Sequence, residues 1–478
     1  MVNFRLLLEH QGGIHMNQDI VNVLINLLKE LNISKVEFSK LCGLNRGMIA
    51  DVLNRKKPLS FISYVTIMNS LNIPIERYLQ EYLLGTLAVT KHPLKVTTNI
   101  LKKCIEISRM DIALQALSYH LEYSVNNSIE ERVFNMAEEL YKDAKYEGAE
   151  ALYVFISNSL IENTNLDKTI LAISYYRLFK IKQTKNLKNE DHALLTRMNL
   201  VHLPRNMRLN ALYNLCLFYL LEAYDWVILE YLTKQMIELV VEIIEAQKII
   251  YLSDEKDEDL LHHLVRYYGQ GYLMQSSSFR NRGIYQKAFE LIDYYSDLSW
   301  FPNLNTEGQE HVQRFKIYAE ANTYNLQLLN GNLDVIPQYM EYLNQNENEM
   351  LPSIVMILEA INRHNQIIDD NIFNKAVELI ILRDNLVNHH PYYEEHKQKN
   401  EYIKLIYQLS KYLFRIGNLQ LGIDMALRFL ETAIVYKDDK MILHALALLE
   451  TNKYNAANSQ LQSYEKIREG VTYYEEVS

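Results

Sequence analysis

The chain has 478 residues, 49% hydrophobic and 23% charged, with a formal net charge of −10; that is ample material for a large core and excludes disorder as the main state. Fourteen glycines and eight prolines are too few for a turn-rich all-β chain, so long helices with short connections are expected. The three cysteines, Cys42, Cys104 and Cys216, match no disulfide framework or zinc site and suit a reducing cytosol, and no apolar run approaches the roughly 20 residues that span a bilayer, so a cytoplasmic protein is expected.

Taken in chain order, the first feature is Gln11-Gly12-Gly13 ahead of Ile14-His15-Met16. A purine-rich ribosome-binding site read in frame would encode such a string, so Met16 is the expected native start and residues 1–15 an extension. Leu6-Leu7-Leu8 is too short for a signal-peptide core. From there, Ile20, Val23, Leu24, Leu27, Leu28 and Leu31 recur at three- and four-residue spacing, which predicts a first helix ended by Asn32. Ser34 and Glu37 form a capping box for a short second helix that turns Phe38 and Leu41 inward. Gly43 supplies the positive φ that ends it. Asn45 caps a third helix, about Arg46 to Leu53, with Ile49, Val52 and Leu53 buried. Two further helices are expected, Ser60 to Leu71 and Ile75 to Leu84.

Two short helices joined by a glycine-bearing turn can present the second to a DNA major groove. On that helix Asn45, Arg46, Met48, Ala50, Asp51 and Asn54 face away from Ile49 and Val52 and are the candidates for reading bases. Arg55, Lys56 and Lys57 follow at the helix end as candidates for phosphate. Residues 16–65 hold seven Lys and Arg against four Asp and Glu, a net of +3, which leaves about −13 on the remainder. The acidic remainder repels DNA, so binding falls to the head. The string SKVEFSKLCGLNRGMIADVLNRKKP resembles the Xre/Cro helix-turn-helix motif, with Lys35 standing where that family usually carries a base-contacting glutamine.

From about residue 95 onward the text is a succession of amphipathic helices. Their starts repeat a bulky residue followed three places later by a small or branched one: Met110 and Ala113, Tyr146 and Ala149, Tyr224 and Val227, Tyr285 and Ala288, Leu333 and Ile336, Phe373 and Ala376, Leu419 and Gly422, Tyr454 and Ala457. The longest gap predicts a further junction near Thr184 to Glu190. Helical hairpins that leave an apolar outer face must stack on neighbours, and the 35 tyrosines suit such a stack, with rings buried and hydroxyls wet. The Tyr-x-x-Ala signature resembles degenerate tetratricopeptide repeats. The expected fold is therefore all-α: a helix-turn-helix head at 16–85, a linker at 86–100, a right-handed superhelix of tetratricopeptide-like hairpins at 101–435, and C-terminal helices at 436–478.

A concave surface of such repeats holds extended peptides through asparagine amides, which offer donor and acceptor together. Asn210 and Asn214, one turn apart, are the leading pair, with Asn322 and Asn325 as a second and Tyr213, Arg177 and Tyr268 beside them. No phosphate loop or dinucleotide fingerprint occurs, and no cofactor is expected. His262-His263 and His389-His390 read as surface histidines and the run Asp254 to Asp259 as a solvated segment. Nothing assembles a nucleophile, base and oxyanion hole, so no enzyme is expected.

A helix-turn-helix head on such a body resembles the RRNPP group of peptide-sensing regulators. FSKLCGLNRGMIADVLN, SYVTIMNSLNIPIERYLQEYLL and LKKCIEISRMDIALQALSYHLEYS look most like the AimR (arbitrium receptor) family. The resemblance implies a homodimer joined through C-terminal helices, binding operator DNA and activating transcription until a short signalling peptide enters the body, in a lysis or lysogeny decision of phages. The candidate dimer surface lies on Ile423, Leu427, Leu430, Ile434, Leu446 and Leu449, residues that equally fit the core of the repeats. Two other readings stand beside it: a Rap-like scaffold for a protein partner, and a DNA-binding repressor whose body only oligomerises.

Overall fold

The computed structural model describes residues 19–86, 94–123, 129–159, 167–185, 187, 189–249, 260–385 and 392–475. The expected start at Met16, the acidic run from Asp254 to Asp259 and His389-His390 lie outside them. All regular structure among the described residues is helical, without strands, as the scarcity of glycine and proline predicts. The chain divides into two compact units, with the boundary in sequence between Leu203 and Pro204. That boundary falls inside the span expected to be one repeat domain.

The first unit opens with α1 (Ile20–Glu30), α2 (Lys35–Leu41), α3 (Arg46–Leu53) and α4 (Phe61–Ser70). Each start is capped as the local sequence dictates. Asp19 accepts from the Asn22 N–H, Ser34 and Glu37 close the capping box, Asn45 accepts from Gly47 and Met48, and Ser60 accepts from Ser63. Gly43, at φ +63°, ends α2. A short 3₁₀ turn, Ile75–Tyr78, then leads into α5 (Leu79–Thr86), so the fifth expected helix is split. Its core is aromatic: the Tyr64 and Tyr82 rings lie 4.7 Å apart, and each buried hydroxyl donates to a backbone carbonyl, Ile75 and Leu59 respectively. These tyrosines satisfy their hydroxyls inside the protein and do not leave them wet.

Helix α6 (Leu94–Glu106) begins within the stretch expected as linker, and α4 and α5 pack against α6 and α7 (Met110–Tyr123). One continuous apolar core runs from Ile20 through Leu83, Leu101 and Leu117 to Ile181. Helices α8 (Ile129–Lys142), α9 (Tyr146–Ser159), α10 (Lys168–Thr184) and α11 (Glu190–Met198) complete the unit. The last two are divided at the junction predicted near Thr184 to Glu190.

The second unit begins with α12 (Arg205–Leu221) and α13 (Trp226–Ile249), followed by α14 (Leu264–Asn281), α15 (Tyr285–Glu290), α16 (Asp293–Ser296) and α17 (Thr306–Leu329). It continues with α18 (Ile336–Gln345), α19 (Met350–Arg363), α20 (Asp370–Asn385), α21 (Tyr392–Arg415), α22 (Leu419–Tyr436), α23 (Asp439–Asn452) and α24 (Asn458–Glu475). Met110, Tyr146, Tyr285 and Leu419 do open helices, and Ala113, Ala149, Ala288 and Ala376 are fully buried, as a small residue facing a packed neighbour requires. The pattern fails at two places. Val227 is 64% exposed and Tyr454, in a 3₁₀ turn, is 90% exposed.

Glycine lets the neighbours of helix α14 close on it. A Cβ at Gly269 would lie 2.4 Å from the Phe315 ring of α17, and one at Gly271 would lie 2.6 Å from Ile237 of α13. No element is a membrane candidate: no helix among the described residues is long and apolar enough to cross a bilayer.

Candidate nucleic-acid face and helical cavity

In the head, α3 presents its polar side to solvent, and the structure sorts the expected contact residues into two groups. Lys35, Arg46, Asn54 and Lys56 are exposed and have no hydrogen-bond or ion-pair partner among the described residues. The others are engaged. Asn45 spends its side-chain oxygen on the α3 cap, and Met48 is half-buried against the core. Asp51 pairs with Lys57 at 3.1 Å. Arg55, in the left-handed region at φ +58°, forks onto Asp19 and onto Asn22 at 3.1 Å. Burial raises the Asp19 carboxyl, but the Arg55 and Asn22 hydrogen bonds outweigh that and hold it below its usual 3.8. The basic turn is thus partly internal wiring, tying the end of α3 to the start of α1.

The seven peptide candidates also separate. Arg177 lies in the first unit, where both of its guanidinium contacts reach Glu138 at 2.9 Å, its face covers Tyr141, and Glu138 accepts from Tyr153 as well. It is a structural ion pair joining α8, α9 and α10. Asn210 and Asn214 are 6% and 7% exposed. The Asn210 oxygen accepts from the Tyr267 hydroxyl and the Leu261 N–H, and the Asn214 amide donates to the Asn210 carbonyl at 2.7 Å. Helix α12 is buried almost continuously from Leu209 to Tyr219, so the pair expected to clamp a peptide is consumed inside the core. Tyr213 is buried beside them, its hydroxyl accepting from Arg266 at 3.1 Å, and Tyr268 packs edge-on against Tyr272, Trp300 and Phe301.

His262 and His263 are half-buried and engaged. His263 caps α14 by accepting from the Val265 N–H, and His262 accepts from Arg266 at 3.1 Å. Burial, then the Arg266 charge, push the His262 imidazole down to about 4. Among the described residues no group of three His, Cys, Asp or Glu side chains is placed to hold a metal ion.

Asn322 and Asn325 do line a cavity. A cleft of about 360 Å³ opens between the ends of α12 and α13 and the helices α14, α17, α19 and α21, with Trp226, Gln270, Asn322, Asn325 and Ser353 among its walls. Each asparagine is half engaged. The Asn322 amide donates to the Tyr295 hydroxyl at 3.1 Å, which leaves its oxygen open. The Asn325 oxygen accepts from Tyr339 at 2.9 Å, which leaves its amide open, while Tyr339 also meets Ser353. One free acceptor and one free donor therefore stand a turn apart on α17. The other cavity residues, Arg280, Glu359 and Lys404 among them, went unread in the sequence because helices far apart in the chain supply them.

The expected dimer residues belong to the core of the second unit. Ile423, Leu427, Leu430 and Leu449 are 8% exposed or less, and Ile434 and Leu446 pack half-buried against the same cluster. They hold α21, α22 and α23 together within one chain, and four of the six offer no free surface.

No protein-family model matches the chain, and no curated protein matches it. Among solved structures it is similar to a circular tandem repeat protein with novel repeat topology and enhanced subunit contact surfaces, at 12% identity over 95% of this chain and 90% of that one, with a TM-score of 0.20. At that TM-score the likeness bears on neither topology nor function.

Proposed function

We propose that the chain is a transcription regulator whose head binds operator DNA and whose second unit receives a short signalling peptide, as its resemblance to the RRNPP regulators and the arbitrium receptors implies. The observation that carries the reading is the pair of open amide groups on α17. The unused acceptor of half-buried Asn322 and the unused donor of buried Asn325 complement the N–H and C=O of one extended peptide unit, at the wall of a cleft of the size that holds small ligands. The head supports it with a capped α3 and the turn that follows it, which present the unengaged side chains of Arg46, Asn54 and Lys56 to solvent, groups suited to a base edge and to phosphate. A homodimer is part of the proposal, since two heads on two half-sites give such a regulator its register. Peptide binding then acts by preferring one conformation of the body, a population shift.

The test is selection of a randomised DNA duplex on the full chain, repeated with Arg46→Ala and Asn54→Ala. A recovered sequence motif that each substitution relaxes supports the reading. Failure to enrich any duplex would remove the DNA half and leave the scaffold alternative.

A further inference from the structure

The charged walls of the cavity balance in sign: Arg280, Arg363 and Lys404 against Glu349, Glu359 and Glu401. Four of the six are engaged. Lys404 lies 3.1 Å from Glu401, Arg363 donates to the Tyr285 hydroxyl, and Glu349 has its own partner in the protein. Arg280 on α14 and Glu359 on α19 are half-buried and have neither an ion pair nor a hydrogen bond among the described residues. A charge drawn partly out of water with no partner is costly to hold, and one of each sign in an otherwise balanced cleft is the complement of a ligand that carries both signs. Helix α17 packs against both α14 and α19, so a chain running from one charge to the other passes along α17, where Asn322 and Asn325 stand. Arg280 is on the Asn322 side. Burial raises the Tyr295 hydroxyl that holds Asn322, and the Arg280 charge acts against that rise.

We infer that the peptide binds as a zwitterion, with a carboxylate at Arg280 and an amine or guanidinium at Glu359; this rests on the peptide reading of the cavity. The carboxylate comes from the C-terminus or an acidic side chain, the cation from the N-terminus or a basic one. The experiment passes equimolar random hexapeptides over the immobilised full chain and identifies retained peptides by mass spectrometry. Four preparations are used: free termini, amidated C-terminus, acetylated N-terminus, and both termini blocked with Asp, Glu, Lys and Arg omitted.

Retention of the fully neutral preparation is expected to fall about tenfold or more, the size of a lost charged hydrogen bond. Whichever single block causes the fall identifies a terminal source, and enrichment of acidic or basic residues despite the blocks identifies side chains. Arg280→Gln should erase the preference for a carboxylate and leave that for a cation, and Glu359→Gln should do the converse, with thermal melts confirming that both variants fold. Equal retention of charged and neutral preparations overturns the charge assignment while leaving the peptide reading intact. No retention of any preparation above a heat-denatured control sinks both.

Discussion

Burial and the neighbouring Arg266 hold the His262 imidazole neutral down to about pH 4, against 6.5 for an unperturbed side chain. Its surroundings are Arg266, Tyr213, Glu307 and His311, and burial lowers His311 in the same direction. Because the unfolded chain takes up this proton first, stability is complete above about pH 6.5 and falls as pH drops towards 4, by on the order of 2 kcal/mol after solvent screening. Both tryptophans, Trp226 and Trp300, lie in the second unit, so urea midpoints followed by tryptophan fluorescence report it. His262→Gln should flatten that loss; an unchanged slope would refute the assignment. Glu138 gives the opposite chemistry in the first unit. Burial raises its carboxyl, but Arg177 and Tyr153 more than offset this and hold it below its usual 4.5. The pair therefore stabilises above about pH 4.5 and is lost as pH falls through the lowered value. Glu138→Gln should cost about 2 kcal/mol at pH 7 and progressively less as pH falls through the lowered value, read from denaturation followed by far-ultraviolet circular dichroism.

At the scale of elements, the course of α14 depends on two glycines two residues apart. Gly269→Ala would push a methyl group into the Phe315 ring, which is itself buried, and overpacking of that kind typically costs about 1–3 kcal/mol. A calorimetric melt should show a lowered transition, with the Gly271→Ala variant lowered likewise through Ile237; an unchanged melt for both would mean that the crossing is loose. In α12 the decisive property is burial on all sides. A helix with Leu209, Leu212 and Leu215 on one face reads as amphipathic, but Tyr213, Asn214 and Cys216 are buried too, and so its asparagines became core hydrogen-bonding groups.

At the scale of the molecule, charge divides the labour. Residues 16–65 carry +3 in a chain of −10, so under the proposed DNA-binding role affinity should fall steeply with salt. Lys56→Ala should reduce the slope of log affinity against log salt by about 1, because Lys56 is unengaged. Lys57 and Arg55 are held by Asp51 and Asp19, so their removal should change the slope less. Filter-binding titrations across salt concentrations separate the two cases, and equal slopes for all three variants would count against this division.

Local signals were legible along the chain wherever neighbours in sequence settle the outcome. The caps at Ser34 and Asn45, the turn at Gly43, the span of α3 and the all-helical class all follow from side chains acting on their own backbone within a turn or two. What only the tertiary structure decided is which polar residues are left over. Asn210 and Asn322 sit in similar helical text, yet Tyr267 and Leu261 use up the first, while Tyr295 leaves the second its oxygen in a cleft. Thr97 and Ile100 of the expected linker, and Ile423, Leu427, Leu430 and Leu449 of the expected dimer surface, became core for the same reason: burial is set by elements far away in sequence, and no local pattern of spacing or charge encodes which of them will arrive.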